Sequence, residues 1–127
     1  MVRMMKLRML LVGLLIASAN PLGANTRLSM KVSPAVAFAP AYLTMRATVV
    51  PDSRNRMLQI IAESDDYYRS SDIQLDGDRA RRTTLVHFKS VPGGVYQVSA
   101  ILKGEGDEEL AFARYDVTVV EHGVTLR

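Results

Sequence analysis

Residues 42–50 alternate in character with a period of two. Leu43, Met45, Ala47 and Val49 fall on one side, and Tyr42, Thr44, Arg46 and Thr48 on the other. A helix would scatter these positions around its axis, whereas an extended strand sorts them onto two faces. The same alternation returns along the chain, broken at short intervals by turn residues, and no stretch beyond residue 20 carries a helical period.

Six further segments read the same way. Residues 27–32 put Leu28, Met30 and Val32 together and end at Ser33-Pro34. Residues 56–63 put Leu58, Ile60 and Ala62 inward, with apolar Met57 and Ile61 on the outer side. Residues 67–75 turn Ile73 and Leu75 inward, and residues 82–89 turn Thr84, Val86 and Phe88 inward and His87 outward. Residues 95–103 align Tyr96, Val98, Ala100 and Leu102, and residues 110–120 align Ala111, Ala113, Tyr115, Val117 and Val119. Between them lie clusters rich in Pro, Gly, Asp and Asn at 51–55, 76–78, 92–94 and 104–108, which are turn chemistry. Short turns make successive strands antiparallel, so the expectation is an all-β, seven-stranded antiparallel sandwich with one dry core.

The N-terminus reads differently. Arg3, Lys6 and Arg8 precede an apolar run over residues 9–19 that ends in Ala17-Ser18-Ala19. Positive region, short apolar region and small-x-small site in that order predict a cleaved signal peptide over residues 1–19, with cleavage after Ala19. The run is too short to span the ~30 Å of a bilayer core. The expected division is a signal peptide at 1–19, a short leader at 20–26, the sandwich at 27–121 and a tail at 122–127. Location is then periplasmic or secreted, with membrane contact only during export. The chain has no Cys, so it must fold on its core without the disulfides that exported chains often use.

Charge excludes one class of partner. The formal +3 of the whole chain lies in the first eight residues; without them 13 cations face 13 acids. A balanced chain projects no long-range field toward nucleic acid.

Residues 91–100 read Val-Pro-Gly-Gly-Val-Tyr-Gln-Val-Ser-Ala. This stretch resembles the corner before strand F of immunoglobulin-like and fibronectin type III-like domains, where a Pro-Gly turn precedes a core tyrosine. The resemblance, extended over residues 27–120, implies a bacterial Ig-like or fibronectin type III-like sandwich. It implies a structural corner at Pro92, Gly93 and Tyr96, whose hydroxyl bonds back to the backbone. The Cys pair and core Trp of antibody-type domains are absent.

Catalytic ingredients are sparse. There are two histidines, His87 and His122, and no G-x-S-x-G, H-E-x-x-H, P-loop or dinucleotide-binding pattern. No catalytic residue, resident metal or cofactor is expected. Alternating strands bring the second, fourth and sixth connections to one end of the sandwich. That end gathers Asp52 and Arg54, then Asp76, Asp78 and Arg79, then Glu105, Asp107 and Glu108 as candidate interaction residues. Oxygen-rich loops of this kind can also hold Ca²⁺. The adjacent Tyr67 and Tyr68 form a candidate aromatic face for a glycan. The reading is a non-catalytic exported module for protein–protein interaction or an accessory structural role at the cell envelope. The alternative is a glycan- or Ca²⁺-binding module on the same scaffold.

Overall fold

The computed structural model describes residues 27–121. The predicted signal peptide, the leader and the tail with His122 lie outside the described residues.

Eight strands form, in the order β1 (Leu28–Ser33), β2 (Val36–Phe38), β3 (Ala41–Val49), β4 (Met57–Glu63), β5 (Tyr68–Gln74), β6 (Thr83–Val91), β7 (Gly94–Lys103) and β8 (Glu109–Val120). They make two layers, a three-stranded sheet β1-β3-β6 and a five-stranded sheet β2-β8-β7-β4-β5. Alternation sets which side chains enter the core. Leu43, Met45 and Ala47 of β3 pack from one sheet; Leu58, Ile60 and Ala62 of β4 and Tyr96, Val98, Ala100 and Leu102 of β7 pack from the other, all essentially inaccessible to water. Met30 and Met45 are core residues, as unbranched side chains that fill irregular gaps often are.

Two expectations need correction. The strand count is eight, and the sheets are not wholly antiparallel. The extra strand, β2, has three residues between Pro34 and Pro40 and pairs parallel to β8 through Val36↔Thr118, Ala37↔Val119 and Phe38↔Val120. Three residues are too few to show a period, so alternation could not mark it. The physical gain is partial closure: the chain leaves the edge of one sheet at β1 and pairs with the last three residues of the other's edge at β8, which shortens an exposed ladder. The strand predicted at 67–75 is also shorter, beginning at Tyr68 and ending at Gln74.

On the opposite side, β5 and β6 each pair on one flank only. Between their open edges runs a groove of about 630 Å³, lined by Ile73, Leu75, Ala80 and Leu85 and by the charged Asp76 and Arg79. In β6 a bulge places Lys89 and Ser90 opposite Tyr42, between the Ala41↔Val91 and Leu43↔Phe88 pairs, and Ser90 has a positive φ of 57°. One extra residue on one strand bends it in this way.

Candidate functional site

The three predicted loops do meet at one end. The Asn55 carbonyl accepts from the Gly77 amide at 3.0 Å, the Arg56 amide donates to Lys103 at 2.9 Å, and the Leu75 amide donates to Arg56 at 2.8 Å. Asn55 is the buried peg of this end. Its Nδ2 donates to the Val50 carbonyl at 3.1 Å, and its Oδ1 finds no donor among the described residues. Gly77 packs on this loop with φ of 54°, where a Cβ would lie 3.1 Å from the Ser53 carbonyl oxygen. Only glycine enters that conformation without strain.

Much of the charge here is already engaged. Asp52 accepts from the Arg54 amide at 2.8 Å and pairs with the guanidiniums of Arg27 at 2.8 Å and Arg54 at 3.2 Å. The hydrogen bonds from the Arg54 side chain and backbone hold the Asp52 carboxyl at a pKa of about 2, and the same contact raises that of Arg54. Arg56 donates to the Ser53 and Asn55 carbonyls and stands 3.9 Å from Glu105. Asp76, Asp78, Arg79, Asp107 and Glu108 are exposed around this brace. No three His, Cys, Asp or Glu side chains among the described residues gather as a metal-holding group.

At the corner, the Tyr96 ring is fully buried and its hydroxyl donates to the Pro92 carbonyl at 2.7 Å. Burial pushes the Tyr96 pKa up. Gly93 lies against the end of β8, where a Cβ would sit 3.3 Å from the Glu121 Cα. Tyr67 meets Tyr96 edge to face at a centroid distance of 5.9 Å and packs on the core. Tyr68 points the other way and is 60% exposed. The two tyrosines therefore do not share a face.

His87 lies on the outer face of β6. Its Nδ1 is 3.2 Å from Thr44 Oγ1, and its ring is 5.5 Å from that of Tyr42. No carboxylate among the described residues hydrogen-bonds to it.

Ile101 and Phe112, which sequence reading left out, join the outward Met57 and Ile61 on the outer face of the five-stranded sheet. Ile101 of β7 stands directly between Gln59 of β4 and Phe112 of β8. Met57 and Ile61, two positions either side of Gln59, are its diagonal neighbours. Four apolar side chains thus adjoin on three neighbouring strands, with Phe112 40% exposed. Around them stand Asp72, Ser99 and the Arg114–Asp116 ion pair at 3.3 Å. Met57 and Ile61 carried half of this signal in the sequence. The other half needed the register that brings Ile101 and Phe112 beside them.

No family model matches this sequence, and no curated protein matches it. Solved structures do match in fold. A superoxide reductase (neelaredoxin) from Ignicoccus hospitalis is similar at a TM-score of 0.56 and 14% identity, over 79% of this chain and 86% of that one. The fibronectin(III)-like modules of Clostridium thermocellum CbhA are similar at 0.52 and 14%, over 74% and 96%. A family 76 glycoside hydrolase from a Bacteroides thetaiotaomicron strain is similar at 0.52 and 12%, over 72% of this chain and 20% of that one. The chain has a fibronectin type III-like, Ig-class sandwich fold. At these identities the likeness shows the fold alone, since one sandwich hosts many unrelated functions.

Proposed function

We propose that this chain is a non-catalytic, exported Ig-like module that docks on a protein partner through the outer face of its five-stranded sheet. The observation that carries the proposal is the adjoining set Met57, Ile61, Ile101 and Phe112. An antiparallel sheet with one face in water puts polar side chains on that face. An apolar, aromatic centre inside a polar rim is the make-up of a protein interface. The closed loop end then serves first as a brace that keeps β4, β5 and β7 in register, with Asp76, Asp78, Arg79, Asp107 and Glu108 free to add contacts at its margin. The export part of the proposal rests on the sequence of residues 1–19.

Photo-cross-linking in the producing cell tests this. A photoreactive residue at Gln59 or Ser99 should capture one reproducible partner. Phe112→Asp with Ile101→Asp should abolish the capture without changing the thermal midpoint by more than a few degrees. Cross-links only between copies of this chain, or capture that survives the double substitution, would overturn the proposal.

A further inference from the structure

The opposite face has a different chemistry. Strands β1, β3 and β6 contain no Asp or Glu. Their outward positions carry Lys31, Arg46 and Lys89, and none of these three is in an ion pair among the described residues. Lys31 sits directly opposite Arg46, and like charges at that spacing destabilise a sheet. An anion bridging the two would relieve the repulsion. Beside them is a concavity of about 670 Å³ lined by Lys31, Arg46, Ser33, Thr44, Pro34 and Tyr115, within the size range of small-ligand sites. From Arg46 the face continues past Thr44 and His87 to Tyr42, 51% exposed, and Lys89. Strand spacing and rise put Lys89 about 14 Å from Arg46.

We infer that this face binds an acidic polysaccharide, with one charged sugar seated at Lys31 and Arg46 and the polymer running across Tyr42 toward Lys89. The composition selects that ligand. Lys and Ser are depleted in protein interfaces, yet this face holds Lys31, Lys89, Ser29 and Ser33 beside Thr44, Thr48 and Thr83. Membrane-surface binding uses clusters of about 4–8 cations, and this sheet has three. Duplex nucleic acid carries one charge per about 1.7 Å of its axis, a density that three cations with Arg46 and Lys89 about 14 Å apart do not match. Hydroxyls for sugar hydroxyls, an exposed tyrosine ring for a sugar face and separated cations for carboxylate or sulfate groups remain. The inference does not depend on the partner face of the other sheet.

The full chain, purified as its expression host processes it, is run through gels containing polygalacturonate, dextran sulfate or neutral dextran. The expected result is retardation by at least one acidic polymer and none by dextran. Lys31→Gln with Arg46→Gln should weaken it by about tenfold or more, since each lost charge-assisted hydrogen bond is worth about that. Tyr42→Ser should weaken it by a smaller factor. Lys103→Gln with Arg114→Gln, which alters charge on the other sheet, should leave it unchanged. Unchanged thermal midpoints keep the comparison one of binding. Three results would overturn the inference: no retardation by either acidic polymer, equal loss in both charge variants, or binding of duplex DNA or phosphatidylglycerol vesicles as tight as that of the polymer.

Discussion

Replacing Tyr96 by Phe tests the corner hydroxyl, because the ring stays in the core and only the hydroxyl leaves, with its bond to Pro92 and its contact with Ser64. The bond to the Pro92 carbonyl is 2.7 Å long, at the short end for its type. A net hydrogen bond contributes about 0.5–1.5 kcal/mol, and stranding a buried acceptor costs about 1–3 kcal/mol. Pro92 is an exposed residue, so water can reach its carbonyl once the hydroxyl is gone. The loss should therefore be about 1–1.5 kcal/mol, toward the lower range. For a domain of this size that is a drop of roughly 4–8 °C in midpoint. Tyr96→Ala should cost about 3–5 kcal/mol, as deletion of a buried ring does. Urea unfolding at pH 7 measures both. A second readout separates the hydroxyl from packing. Burial raises the Tyr96 pKa in the folded state, so above pH ~10, where an unfolded tyrosine ionises, the unfolded chain binds fewer protons and stability falls with rising pH. Phe removes that dependence, so the gap between the two proteins should narrow from pH 10 upward. A Phe variant as stable as the parent at pH 7, with a gap that stays constant in alkali, would refute the corner as a stabilising hydrogen bond.

Two further predictions concern the loop end. The Asp52 pKa of about 2 lies below its ordinary 3.8, so the unfolded chain binds more protons between those values. The contribution of Asp52 is complete above pH ~4 and lost as pH falls toward 2. Arg54→Ala should return the Asp52 pKa toward its ordinary value, by NMR titration, and flatten this part of the acid limb; an unmoved titration would refute the pairing. Asn55→Ala should cost about 1–3 kcal/mol by leaving the Val50 carbonyl without its donor. Asn55→Asp should cost more at pH 7, because it also buries a carboxylate, and the excess should shrink as acid protonates it. Equal losses for the two variants across pH 4–7 by chemical denaturation would contradict this.

How much of this was readable beforehand depends on the range over which each feature is decided. The inward faces of β3, β4 and β7 were legible because alternation is local: Leu58, Ile60 and Ala62 alternate within seven residues whatever they pack against. Tyr96 was legible because the turn before it and the ring's burial lie within a few positions. Strand β2 was not, since its pairing with β8 joins residues 36–38 to 118–120 and three residues hold no pattern. The tyrosine pair shows the same limit on a smaller scale. Alternation required Tyr67 and Tyr68 to part, but only the position of Tyr96, two strands away in the same sheet, decides that Tyr67 is the one held.

The two candidate faces are decided at longer range still. Each of the segments forming β1, β3 and β6 can be seen in isolation to lack an acid, yet that means little until the three share a sheet. Once they do, a chain whose charges balance beyond its first eight residues has a segregated surface. The acids are carried by the other sheet, at Glu63, Asp72, Glu109 and Asp116, and by the loops. Net charge governs the field far from the molecule and says nothing about a ligand that touches one face. The same topology joins Met57 and Ile61 to Ile101 and Phe112. One face is therefore basic and hydroxyl-rich while the other has an apolar centre, and a partner that occupies one leaves the other open.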